Sequence, residues 1–187
     1  MKRVYIIHRW SGGVEDDWRP WLKTELEKLG YQVFVPTMPD SDTPVIEKWV
    51  ESLSKLVGKV DKDTFFVGHS IGCQAILRYL QTVTTPVGGA VFVAGWFDLH
   101  NLEDDEVTET AKPWIETPID CGKIKEILPK LTVLLSDNDP YDALEQNKLT
   151  FETELNAKVI IVPKTGHFTE DDGFKELPEV LVEFKKL

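Results

Sequence analysis

The segment Gly68-His69-Ser70-Ile71-Gly72 sets a serine between two glycines, directly after the apolar run Thr64-Phe65-Phe66-Val67 and directly before a helical pattern. In a strand–turn–helix of this kind the turn strains the serine backbone, exposes its hydroxyl above the sheet and aims a helix N-terminus at the same point. Gly68 and Gly72 leave room where neighbouring chains pass close to the turn. A serine so placed can attack a carbonyl carbon. Its hydroxyl is a poor nucleophile near neutral pH, so it needs a base, and the base needs a carboxylate to fix its tautomer and stabilise the imidazolium. A lone G-x-S-x-G is weak, and the partners decide.

Four histidines are available. His69 adjoins Ser70, but adjacent side chains on this turn diverge. His8 ends the first apolar run and could order the loop there, while His100 lies in an acidic stretch. His167, in Lys164-Thr165-Gly166-His167-Phe168, follows the last strand-like run and has a glycine at its bend. It is the best-placed base. For the acid, the run Leu131–Leu135 leads into Ser136-Asp137-Asn138-Asp139-Pro140-Tyr141-Asp142. Asp137 and Asp139 both fall beyond that strand, with Asp139 favoured; the competing reading is a solvated turn with an aspartate capping the next helix.

These residues need elements to position them. Strand-like runs at Arg3–His8, Gln32–Val35, Thr64–Val67, Gly89–Ala94, Thr132–Leu135 and Lys158–Val162 are short and apolar on successive residues, as for strands covered on both faces. Helical spacing joins Trp18, Trp21, Leu22, Leu26 and Leu29, with Gly30 as a stop, and recurs over Ile46 to Val57. Further helices are expected at Ile71 to Leu80, Leu144 to Leu155 and Phe174 to Phe184, where Pro178 marks a break or the true first turn. Strict alternation predicts an α/β three-layer sandwich in one domain over residues 1–187, with a mostly parallel sheet of about six strands and helices on both faces. Ligands in such sheets bind beyond the carboxyl ends of the strands. The serine, the acid and the histidine all fall there, in the chain order Ser…Asp…His of the α/β-hydrolases.

The bulk properties exclude several classes. A chain of 187 residues fits one domain with a full core. The formal charge of −11 repels a phosphate backbone, so nucleic acid is not an expected partner. Two cysteines, Cys73 and Cys121, are too few for a disulfide framework and sit in no metal-ligand spacing, pointing to a reducing, cytoplasmic setting. Cys73 is expected as small core packing. The N-terminus lacks a signal-peptide pattern, and no segment reaches the ~20 apolar residues of a membrane span.

The chain resembles the small single-domain serine hydrolases related to the retinoblastoma-binding serine hydrolase, and the resemblance covers nearly all of it. It rests on the opening strand with Gly12-Gly13, on Asp17-Trp18-Arg19-Pro20-Trp21-Leu22, Met38-Pro39, Val67-Gly68-His69-Ser70, Arg78-Tyr79, the 136–141 turn and Gly166-His167-Phe168. The resemblance implies a minimal α/β-hydrolase fold, with Ser70 as nucleophile, Asp139 as acid and His167 as base. The Leu-x-Cys-x-Glu motif of retinoblastoma-pocket binding is absent, so that partner is not implied. Arg9, in His8-Arg9-Trp10, stands where related bacterial sequences look as if they carry glycine. This loop should supply one oxyanion N–H from Trp10, and Ile71 at the helix start the other. Arg9 is expected either to place a cation beside the developing charge or, the favoured reading, to point away into solvent.

Trp96-Phe97 follows the fourth strand, and the segment from there toward Trp114 is long for a connection, as walls and lids of active sites often are. Trp10, Trp96 and Phe97 are expected to line a small acyl pocket, against an equal expectation that they fill core. The acidic run 103–106 reads as a solvated face. The expected function is thus an esterase-like serine hydrolase of a small ester, thioester or amide, working through an acyl-enzyme without metal or organic cofactor. The alternative is a protein-binding or scaffolding chain that keeps the fold with little turnover. A dehalogenase would need an aspartate at position 70. Substrate and oligomeric state stay open.

Overall fold

Strands that are apolar on every residue must be covered twice, and the chain folds to do so. The computed structural model describes residues 1–102 and 104–187; Glu103, the first residue of the acidic run, lies outside the described residues. Among the described residues, β1 (Arg3–Ile7), β2 (Gln32–Phe34), β3 (Thr64–His69), β4 (Gly89–Val93), β5 (Leu131–Ser136) and β6 (Lys158–Val162) form one sheet in the order β2-β1-β3-β4-β5-β6. Every neighbouring pair is parallel. Seven helices connect or follow the strands: α1 (Arg19–Lys28), α2 (Ile46–Val57), α3 (Ile71–Leu80), α4 (Asp105–Glu116), α5 (Cys121–Ile127), α6 (Leu144–Leu155) and α7 (Pro178–Phe184).

Successive strand residues point to opposite faces and so feed two cores. Tyr5, Ile7, Phe66, Phe92, Val133 and Leu135 meet Trp49 and Leu53 of α2, Ile76 of α3, Ile124 of α5 and Phe151 of α6. Val4, Ile6, Val67, Val91 and Val93 meet Leu22 and Leu26 of α1 and Val180 and Phe184 of α7. The chain runs outward from β1 to β2, then returns across β1 to β3. Connections therefore leave β1 and β3 in opposite directions, which opens a crevice above their carboxyl ends. His8 leaves β1, and Ser70 leaves β3, at that crevice.

Two expectations need correction. The long connection after Trp96 is not irregular: it holds α4 and α5. Asp104 caps α4 by accepting the Glu106 N–H at 2.7 Å, and only Ala111 and Trp114 of that helix are buried. One narrow apolar stripe, interrupted by Pro113, explains why the pattern reads weakly. The last helix begins at Pro178 rather than Phe174, since proline suits a first turn whose N–H would go unpaired anyway. No described helix is long and apolar enough to cross a membrane.

Candidate active site

Ser70 takes φ 54° and ψ −123°, a conformation that a residue with a side chain holds only when its surroundings enforce it. Its N–H donates to Val93 O at 2.8 Å, tying the turn to β4. Contact requires both glycines: a Cβ on Gly72 would lie 2.5 Å from Ile7 O, and one on Gly68 2.9 Å from Cys73 N. Ser70 caps α3, so the Ile71 N–H has no acceptor within the helix. Cys73, one turn along, is buried, and burial pushes its thiol pKa well up, leaving it as core packing.

The loop after β1 is ordered by His8. Its Nδ1–H donates to Arg9 O at 2.7 Å and its Nε2 accepts the Met38 N–H at 2.9 Å. That pairing needs a neutral ring, and burial, the main cause, lowers the His8 pKa accordingly. The Trp10 indole donates to Asp42 O at 2.9 Å, and Ser11 N–H to Ser41 O at 2.8 Å, which fastens the loop to the segment after β2. Arg9 does not point away into solvent. Its Nε donates to the buried Asp17 carboxylate at 3.0 Å and its Nη1 to Trp10 O at 3.1 Å. Asp17 thus engages its charge, and the guanidinium braces the loop that carries Trp10.

His167 follows β6. Its Nδ1–H donates to Asp139 Oδ2 at 2.6 Å, and the Asp139 side chain is only 2% exposed. A carboxylate only accepts, so Nδ1 carries a proton. The turn after β5 cradles this loop residue by residue. Asp137 takes the Lys164 N–H at 2.7 Å, Asn138 takes the Gly166 N–H at 2.9 Å, and Asp139 takes the imidazole. Asp137 is therefore occupied with backbone. Gly166 takes φ 53°, and a Cβ there would fall 2.2 Å from Asp172 Oδ1, so a side chain would displace that carboxylate. Asp172 Oδ2 accepts the His167 N–H at 2.9 Å.

Sequence reasoning missed a second set of contacts on the far side of this loop. Trp18 Nε1–H donates to Phe168 O at 3.1 Å, Asp17 Oδ1 accepts the Glu170 N–H at 2.9 Å, and His69 Nε2–H donates to His167 O at 2.8 Å. Arg19, fully buried, pairs with Asp17 at 2.9 Å. The signal was present in Asp17 and Arg19, charged residues flanking the core residue Trp18 at the start of a helix whose apolar face is buried.

Ser70 and His167 line one cavity of about 600 Å³ with Arg9, Trp10, Trp96, Leu99 and Tyr141. Asp104 and Val107, at the start of α4, also face it, so the connecting segment does form a wall. Trp96 joins that wall while only 2% exposed. Phe97, expected beside it, is absent from the lining: its ring packs on Phe151 with centroids 4.9 Å apart, because Asn147 Oδ1 accepts the Phe97 and Asp98 N–H groups and turns the segment inward. His100 is exposed and donates its backbone N–H to Tyr141 O. Ser70 Oγ makes no hydrogen bond to His167; such contacts often tighten only with substrate bound. Among the described residues no group of three His, Cys, Asp or Glu side chains could hold a metal ion.

A profile of the serine hydrolase family matches residues 4–186. The chain belongs to that family. YdeN of Bacillus subtilis is 33% identical over 183 residues, which cover 96% of this chain and 92% of that protein. The crystal structure of the ydeN gene product superimposes over the whole of both chains with a TM-score of 0.89 at 30% identity. The serine hydrolase RBBP9 of Rattus norvegicus is 27% identical over 165 residues, covering 88% of this chain and 84% of its own. A carboxylesterase structure from Nitrososphaera gargenis has a TM-score of 0.74 at 13% identity, covering 99% of this chain and 90% of that one, a likeness of fold. This serine hydrolase thus keeps the α/β-hydrolase architecture that its alternating pattern predicts.

Proposed function

We propose that this serine hydrolase cleaves a small carboxylic ester, thioester or amide through an acyl-enzyme on Ser70. The observation that carries the reading is the 2.6 Å bond from His167 to a shielded Asp139, in the same cavity as a serine on a strained elbow. His167 Nε2 takes the Ser70 proton as Oγ attacks the carbonyl carbon, then gives that proton to the leaving alcohol, thiol or amine. Water, deprotonated by the same nitrogen, attacks the acyl carbon and releases acid and free serine. Asp139 holds the ring and stabilises the imidazolium. The N–H groups of Ile71 and Trp10 stabilise the oxyanion, a contribution of about 2.7–4 kcal/mol for one such donor in related chemistry. Apolar and aromatic side chains at Trp10, Trp96, Leu99 and Tyr141 suit a small apolar acyl or leaving group.

A fluorophosphonate probe and a panel of p-nitrophenyl esters and aminoacyl amides test this with wild type and Ser70→Ala. The expected result is labelling and turnover in wild type, both lost in the variant. A folded wild type that neither labels nor turns over any member would overturn the reading in favour of a binding protein.

A further inference from the structure

His69 is fully buried beside the nucleophile yet takes no part in the chemistry proposed above. Its partners fix its state. The carbonyl of His167, 2.8 Å from Nε2, can only accept, so Nε2 carries a proton. The Arg19 Nη1, 3.3 Å from Nδ1, can only donate, so Nδ1 carries none. Arg19 is held for this by Asp17 at 2.9 Å, and the Trp18 ring lies against the imidazole with centroids 5.4 Å apart. His69 is therefore a neutral ring with its proton on Nε2, its centroid 5.4 Å from that of His167.

This arrangement leaves His167 held at three points. Asp172 takes its N–H, Asp139 takes its ring, and His69 holds its carbonyl. Asp172 is exposed, so water competes for the first contact, and the shielded Asp139 carboxylate comes from a surface turn; only the third contact comes from a residue of zero exposure, the last of β3 and the neighbour of Ser70. A hydrogen bond from the residue before the nucleophile to the backbone of the base sets the separation of the two reacting groups directly. Shifts of about 1 Å in such a separation cost on the order of 100-fold in rate.

We infer that His69 is a positioning residue of this hydrolase, a tautomer-locked donor that fixes the His167 backbone relative to Ser70. The inference rests on the acyl-enzyme reading. His69→Gln keeps an amide N–H where Nε2 stands, whereas His69→Asn keeps an acceptor near Nδ1 for Arg19 but cannot reach the His167 carbonyl. Both variants and wild type are compared by p-nitrophenyl ester kinetics and fluorophosphonate labelling rate, below the lower of their melting temperatures. Wild-type labelling, with its loss in Ser70→Ala, establishes first that the hydrolase reading stands. The expected result is then kcat within about threefold of wild type for His69→Gln, and about 10–100-fold lower for His69→Asn, KM little changed in either. Equal kcat in the two variants, high or low, overturns the inference, and an equal loss together with a lowered melting temperature marks His69 as structural only. Should His69→Asn not fold, His69→Met, which fills the space but donates no hydrogen bond, takes its place. A kcat equal to that of His69→Gln would overturn the inference.

Discussion

Replacing Gly166 by alanine isolates what the bend before His167, the proposed base, contributes. Two costs arise. Alanine at φ 53° pays the left-handed penalty of about 1–2 kcal/mol. Its Cβ, 2.2 Å from Asp172 Oδ1, also evicts that carboxylate. Asp172 Oδ2 accepts from His167 N, Thr169 N and Thr169 Oγ1 at 2.9, 3.1 and 2.8 Å. Asp172 is exposed, so each bond contributes at the low end of the usual range, about 0.5–1 kcal/mol. The sum is about 3–5 kcal/mol, or a fall in melting temperature of roughly 10 °C for a chain of this size. Freeing the His167 N–H should also lower kcat/KM by about tenfold or more, since ~1.4 kcal/mol in the barrier is a factor of ten. Gly173→Ala is the internal control: Gly173 has φ 96°, but no atom lies within 4 Å of its would-be Cβ. It should lose stability by backbone strain alone and keep its activity. If thermal melts and ester kinetics show the two variants alike, the argument from the Asp172 contact is wrong.

Three other outcomes follow from the same geometry. Asp139→Asn should lower kcat about 10⁴-fold at pH 7, since an amide can select the wrong imidazole tautomer, while Asp137→Asn, which faces Lys164 N, should change kcat little; pre-steady-state bursts with a p-nitrophenyl ester distinguish them. The His8 and His69 pKa values lie below the usual 6.5, chiefly through burial. The unfolded chain therefore takes up these protons first, so the stability they contribute is complete above about pH 6.5 and is lost as pH falls, by up to ~1.4 kcal/mol per pH unit for each. Asp142, pushed up to about 6 by burial, acts in the opposite sense between its unfolded and folded values, so the measurement is the difference in urea-unfolding free energy between wild type and His69→Gln across pH 5 to 7. A constant difference would refute the neutral, buried assignment. Trp96→Phe should shift preference toward longer acyl chains in an ester series, because Trp96 lines the cavity; an unchanged profile removes it from the pocket.

Much of this was legible before any coordinates. Strands apolar on successive residues announce a covered parallel sheet, and glycines flanking Ser70 announce a turn crowded by backbone. Asp139 and His167 could be proposed from sequence because each follows a strand at the end where ligands bind. Other features were not. α4 buries only Ala111 and Trp114 of its own residues, too few to separate from a polar loop. The partner of Arg9 is eight residues along the chain and hidden beneath it, and that pairing depends on Asp17 being buried, which no local pattern reveals. Phe97 looked like wall because it adjoins Trp96, but its direction is set by Asn147, on another helix. The role of His69 depends on a carbonyl 98 residues away. Local spacing encodes elements and their ends; it says little about which buried polar atoms meet.

The two halves of the chemistry stand on supports of unequal strength. Ser70 leaves β3, which is buried along its whole length between two neighbours, whereas His167 leaves β6, which hydrogen-bonds to β5 alone and has two of its five residues exposed. Lys158, at the start of β6, is tied across to Glu183 of α7 at 2.8 Å, a partly solvated brace. The outermost strand of a sheet detaches at a lower free energy than the middle ones. Mild denaturant should therefore silence this hydrolase while its tryptophans still report a native interior, and amide protons of residues 158–167 should exchange with deuterium well before those of residues 64–70.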